Sequence, residues 1–123
     1  MWKLMLMAGC GGFVGTCCRF LINRLYISVW KYPFPLATFT INVLGCFLFG
    51  LLTGLLNRNG VISPKLNALL MVGFCGGFTT FSTFSFESFK LGLNGEIFQT
   101  MLYIAGSIII GLFAVWFGMA ITR

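Results

Sequence analysis

Three stretches of this 123-residue chain carry no charged residue: Tyr32 to Asn57, Leu66 to Phe86 and Ile97 to Thr122, of 26, 21 and 26 residues. A bilayer core about 30 Å thick is crossed by roughly 20 helical residues, so each stretch is long enough to span it. A fourth, Leu4 to Cys18, reaches that length by continuing past Arg19 through Phe20, Leu21 and Ile22. Arg19 and Arg24 must then either snorkel toward the far interface or be capped by polar groups from other helices. Composition points the same way: 59% of residues are hydrophobic and 8% charged, where about a quarter are charged in a soluble domain. The chain reads as an all-α membrane protein with a single transmembrane domain over residues 1–123, and with helices expected at about 4–24, 34–57, 65–91 and 96–121.

The connections are short. Ser28 to Pro35, with Trp30, Tyr32 and two prolines, suits an interfacial turn with aromatic anchors. Asn57 to Gly60 followed by Ser63-Pro64 suits a polar loop that starts a new helix at Lys65, and Asn94-Gly95 suits the last turn. Met7-Ala8-Gly9-Cys10 resembles a lipoprotein cleavage box, but only about six residues separate it from Lys3, too few for a secretory apolar run. It reads as a small-residue patch on a helix face. Gly11-x3-Gly15, Gly50-x3-Gly54 and Gly73-x3-Gly77 each permit two helices to approach closely, which matters where lipid supplies no hydrophobic drive for helix association.

Inside the third span lies Gly76-Gly77-Phe78-Thr79-Thr80-Phe81-Ser82-Thr83-Phe84-Ser85. Lipid offers no hydrogen bonds to such a run, so a Gly-Gly pair followed by Thr-Thr predicts a helix broken near its middle, buried in protein or lining a polar path. If the helix resumes after Thr79, Phe81, Phe84 and Ser85 or Ser88 share a face, with Glu87 about one turn further on. Asn42 lies at the centre of the second span with Thr38 four residues before it, and Tyr103 and Ser107 repeat that spacing in the fourth. An isolated hydroxyl in a membrane helix usually bonds its own backbone. An amide, several hydroxyls and two rings converging on a helix break instead suit a lining for a small ion. Amide and hydroxyl hydrogens and the positive ring edge can serve an anion, although spacing by itself does not fix the sign.

With four spans the termini share a side. Lys3, Arg58, Lys65 and Arg123 then stand on one face, and Arg24, Lys31, Lys90 and the nearer Arg19 on the other. Orientation follows an excess of Lys and Arg on the cytoplasmic side; four against four leaves it undecided, so dual topology and an antiparallel homodimer are expected. The second copy would also supply the interface that one small bundle lacks. A net charge of +6 is spread along the chain without a patch, which argues for anchors in anionic lipid and against a nucleic-acid partner.

Enzymatic chemistry finds little to use. Glu87 and Glu96 are the only acidic residues and there is no histidine, so no carboxylate pair, triad or metal-ligand set can be built from one chain. The five cysteines, Cys10, Cys17, Cys18, Cys46 and Cys75, show no C-x-x-C spacing and sit in apolar segments, where small-residue packing is the expected role.

Over essentially its full length the chain resembles the Fluc (CrcB) family of fluoride channels. The likeness is carried by Gly12-x-x-Gly15-x-x-x-Arg19, Thr38-x-x-x-Asn42-x-x-Gly45, and Gly73-x-x-Gly76-Gly77-Phe78-Thr79-Thr80-Phe81-Ser82-Thr83-Phe84 with Glu87. The resemblance implies a dual-topology homodimer that passively exports fluoride through two antiparallel pores in a bacterial inner (plasma) membrane, lowering the cytoplasmic level. It implies that Phe81 and Phe84 are the rings of the pore, that Asn42 is its amide, and that Tyr103 and Ser107 form a polar track. Thr38, Ser82, Thr83 and Ser85 are then further lining residues, and Arg19 and Glu87 belong to a vestibule. It also implies one structural sodium ion per dimer, held on the two-fold axis by the backbone carbonyls of Gly76 and Thr79. The alternative is a small dual-topology proton-coupled multidrug antiporter, which shares length and charge balance but needs a protonatable carboxylate deep in the membrane. A scaffold subunit without transport of its own would have no use for the Phe-Ser-Thr-Phe cluster.

Overall fold

A computed structural model describes residues 1–58 and 63–123. The described residues are helical almost throughout, with no strand, and four spans are long and apolar enough to cross a membrane: Trp2–Val29, Leu36–Asn57, Pro64–Leu93 and Ile97–Thr122. Part of the loop expected between the second and third spans, at 59–62, lies outside the described residues.

The first helix runs to Val29, beyond the end expected near residue 24. The Tyr26 hydroxyl meets the Thr40 hydroxyl at 3.1 Å, tying the added turns to the second helix. The helix then stops in a turn closed by the Trp30 indole, which donates to the Phe34 carbonyl at 2.7 Å. Pro33 lacks a backbone N–H and Pro35 stands at the N-cap of the second helix, where that lack has no consequence. Ser63 begins the third span: its hydroxyl accepts from the Leu66 N–H, with Pro64 at the first helical position.

The spans associate as two tight pairs. In one, the first helix lies along the early half of the third span, glycine against glycine. A Cβ at Gly77 would stand 2.6 Å from the Gly12 carbonyl oxygen, and one at Gly73 2.6 Å from that of Ala8. In the other, the second helix lies along the fourth, where Gly50, Gly54 and Gly118 meet backbone or Thr122 and where Phe47 stacks on Phe117 at 6.0 Å. All three Gly-x3-Gly pairs therefore sit in helix seams, where backbones approach more closely than any side chain allows.

The third span joins the two pairs, and it is not one rod. Pro64–Leu66 continues into Asn67–Cys75, wound with i→i+5 hydrogen bonds, and then into Gly76–Phe78. Such wide winding is rare and occurs mainly at functional sites. At Thr79 and Thr80 the backbone becomes extended, with φ, ψ of −83°, 160° and −148°, 122°. Helix resumes as Phe81–Leu93, which leans on the fourth helix.

Candidate functional site

A helix broken inside a membrane leaves carbonyls at the end of one limb and N–H groups at the start of the next. Each unsatisfied group there costs several kcal/mol. Four residues meet most of this demand. The Asn42 amide splints the break from both sides: Oδ1 accepts from the Thr80 N–H at 2.9 Å and Nδ2 donates to the Thr80 carbonyl at 3.0 Å. Arg19 donates from Nε to the Gly77 carbonyl at 3.0 Å. It is thus capped by another helix, the second of the two options its sequence position allowed. Thr79 returns its N–H and hydroxyl to the Cys75 carbonyl at 3.0 and 2.9 Å. Thr80 caps the second limb, its hydroxyl accepting from the Thr83 N–H at 3.3 Å and donating to the Thr83 hydroxyl at 3.0 Å. Gly45 lets this assembly dock, because the Thr79 methyl occupies the space where a Cβ would be.

Among the described residues, the carbonyls of Gly76, Phe78 and Thr79 accept no hydrogen bond from the chain. The usual donors to Gly76 and Thr79, four residues on, are diverted: the Thr80 N–H goes to Asn42 and the Thr83 N–H to the Thr80 hydroxyl. Gly76 is also exposed.

Beside the break runs a groove of about 450 Å³ whose wall includes Asn42, Thr79, Thr80, Phe81, Phe84 and Ser107, with no charged side chain. The Phe81 and Phe84 rings stand 6.0 Å apart, and Phe84 packs at 5.0 Å against Tyr103. Phe81 is 78% exposed on the single chain. The Ser107 hydroxyl is buried without a hydrogen-bond partner and so remains able to donate into the groove. Asn42 has one Nδ2 hydrogen left after bonding Thr80.

Behind the rings, the wholly buried Tyr103 donates its hydroxyl to Glu87 Oε1 at 3.0 Å. Its one proton is spent there, and Tyr103 does not line the groove but backs Phe84 from behind. Thr38 is 3% exposed and lies beside this pair, away from the groove wall. Glu87 opens instead onto a second, more polar cavity of about 380 Å³, shared with Asn23, Tyr26, Lys90 and Asn94. Arg19 does not line that cavity. Ser82 and Ser85 face outward from the single chain, and Thr83 is half-buried against Thr80. Ser88 is buried and bonds its own helix at the Phe84 carbonyl.

Several residues of the site escape a sequence reading. Thr80 as a cap was signalled by its three-residue spacing to Thr83. Gly45 as a cradle, and Asn23 and Lys90 in the polar cavity, carried no local signal.

The sequence profile of the CrcB-like protein (camphor resistance, CrcB) family matches residues 6–119. A protein of Chlorobium phaeobacteroides strain BS1 named fluoride-specific ion channel FluC is 43% identical over 122 residues, covering 99% of this chain and 94% of that protein. A protein of the same name from Prosthecochloris aestuarii is 42% identical with the same coverage. One from Methylobacillus flagellatus is 40% identical over 126 residues, covering 100% of this chain and 96% of that protein. With four membrane-spanning helices and full-length likeness of this kind, the chain is a multi-pass protein of a bacterial membrane and belongs to the CrcB-like family.

Proposed function

We propose that the chain is a passive, fluoride-selective channel of the bacterial inner membrane, acting as an antiparallel homodimer. The observation that carries the reading is the uncharged groove beside the helix break, which brings two phenyl rings, one free amide hydrogen and one unpartnered hydroxyl to a single wall. Fluoride gives up tightly held water only to donors that replace it without trapping it, and a fixed cation at the narrowest point would hold the ion too long. In this mechanism Asn42 and Ser107 each donate one hydrogen bond, and the positive edges of Phe81 and Phe84 carry the ion between them. The Tyr103–Glu87 bond fixes the ring against which Phe84 packs. It also holds the carboxylate away from the groove, where it would repel an anion.

The dimer is supported by what one copy leaves open in a membrane. The groove is open, Phe81 is bare, and the Gly76, Phe78 and Thr79 carbonyls have no donor. Neutral carbonyl oxygens from unwound backbone suit a hard monovalent cation, so the residues present fit a sodium ion at Gly76 and Thr79 on the two-fold axis. An ion bound there would supply positive charge to neutralise the dipoles of those carbonyls. Arg19 and Asn42 assist by occupying the neighbouring carbonyls of Gly77 and Thr80. The antiporter alternative is not supported: of the two carboxylates, Glu96 stands at the N-cap position of the fourth helix, at its end and not deep in the span, and Glu87 is bonded to Tyr103 beside a polar cavity.

The test is fluoride efflux from liposomes containing only the purified chain, followed with a fluoride electrode, with chloride release as the control. Wild type should release fluoride and retain chloride. Phe81→Ile and Phe84→Ile, which keep bulk but remove the polarised ring edge, should each slow efflux at least tenfold; wild-type rates in both would remove the rings from the mechanism.

A further inference from the structure

The second helix and the early half of the third span run antiparallel in a register fixed at three points. Asn42 pairs with Thr80, Gly45 receives Thr79, and the Thr53 hydroxyl approaches Met71 Sδ at 3.9 Å. Between the outer two lie Cys46 on one helix and Cys75 on the other, and both line the same groove as Met71. Cys75 is 2% exposed and Cys46 half-buried, and neither is in a disulfide. A Cβ at Gly111 would stand 3.4 Å from Cys46 Sγ, so this sulfur lies between the second and fourth helices.

Two thiols and a thioether thus share one wall that carries no carboxylate and no imidazole. That set is wrong for a hard cation, and three sulfurs fall short of the four ligands that a structural zinc site takes. Soft thiolate and thioether sulfurs select d¹⁰ monovalent ions, for which low coordination numbers suffice. We propose that Cys46, Cys75 and Met71 form a binding site for a soft monovalent cation, cuprous or silver ion, within the groove. On binding, one thiol releases its proton to water and its sulfur bonds the metal, giving a neutral thiolate–cation pair suited to a membrane interior. The second thiol and the thioether add neutral sulfur ligands. Resting on the channel reading, the occupied site obstructs the groove that Asn42, Phe81 and Phe84 share.

The test uses full-length protein in detergent and chloride-free buffer, in a Cys10→Ser/Cys17→Ser/Cys18→Ser background that removes the other thiols. Silver nitrate binding is measured by equilibrium dialysis and by the ultraviolet thiolate-to-silver band. One silver ion per chain is expected. Cys46→Ala and Cys75→Ala should each weaken binding at least tenfold, and Met71→Leu several-fold. Two silver ions per chain falling to one in each single variant, or unchanged affinity in the half-buried Cys46→Ala, would overturn the site. In liposomes of the background protein, silver should slow fluoride efflux at least tenfold and dithiothreitol should restore it; unchanged efflux at saturating silver would overturn the obstruction. The dialysis needs no fluoride, so binding without any fluoride conduction would sink the channel reading and leave the metal site standing.

Discussion

Asn42 has two tasks that conflict on substitution. Its amide completes the backbone at the break, and its remaining hydrogen faces the groove. Removing it in Asn42→Ala leaves the Thr80 N–H and carbonyl without partners, at about 1–3 kcal/mol for each buried group. The variant should melt at lower temperature in size-exclusion thermal challenge and conduct poorly. Asn42→Asp tests the second task more narrowly. The carboxylate still accepts from the Thr80 N–H, so part of the stability should return, but it places a negative charge in an otherwise uncharged groove and efflux should stay at least tenfold down. Equal thermal loss in both variants would contradict the splint. That Asn42 matters was legible, since an amide inside an apolar span has no bland use. What it bonds was not, because the partner lies 38 residues away in sequence and local patterns carry no information about that distance. The same holds for Arg19 and the Gly77 carbonyl.

For the elements, the third span separates two roles that its sequence runs together. Gly76-Gly77 followed by Thr79-Thr80 signalled a break, yet both glycines are helical and the extended residues are the threonines. Gly77 is there for approach, not for flexibility: a Cβ would press on the backbone of Gly12 at 2.6 and 2.9 Å, and neither backbone can yield without opening the seam. The break follows from side chains that satisfy an unwound backbone, namely Asn42, Thr80 and Arg19. Gly77→Ala should therefore lose most folded protein on size-exclusion chromatography. Gly92→Ala, where a Cβ meets nothing within 4 Å, should stay within about 1 kcal/mol of wild type because Ala is the better helix former. Comparable loss in both would show that glycine serves conformation and not packing. Seams of this kind are readable in sequence because only small residues fit them; the i→i+5 winding over Asn67–Cys75 is not, since no residue type or spacing there sets it apart from an α-helical segment.

At the scale of the whole molecule, the even spread of basic residues along the chain bears on the proposed assembly. Each Lys or Arg beside a span biases its flank toward the cytoplasm, and Lys3, Arg58, Lys65 and Arg123 against Arg24, Lys31 and Lys90, with Arg19 held at the Gly77 carbonyl, give neither side a strong excess. A proposed dimer of opposite orientations then needs both insertions from one gene, and added charge should destroy that supply. Two lysines appended after Arg123 bias the face shared by the termini. Val29→Lys with Leu93→Lys biases the other, at side chains 76% and 71% exposed near the ends of their helices. Each variant expressed alone should insert in one direction and fail to protect cells from fluoride, because the proposed unit needs one copy of each orientation. Expressed together, the two supply one orientation each and should restore most of the protection. Full resistance from either variant alone would mean that the functional unit is a single copy or a parallel pair. In that case the Gly76 and Thr79 carbonyls would need a partner other than an ion shared by two inverted chains.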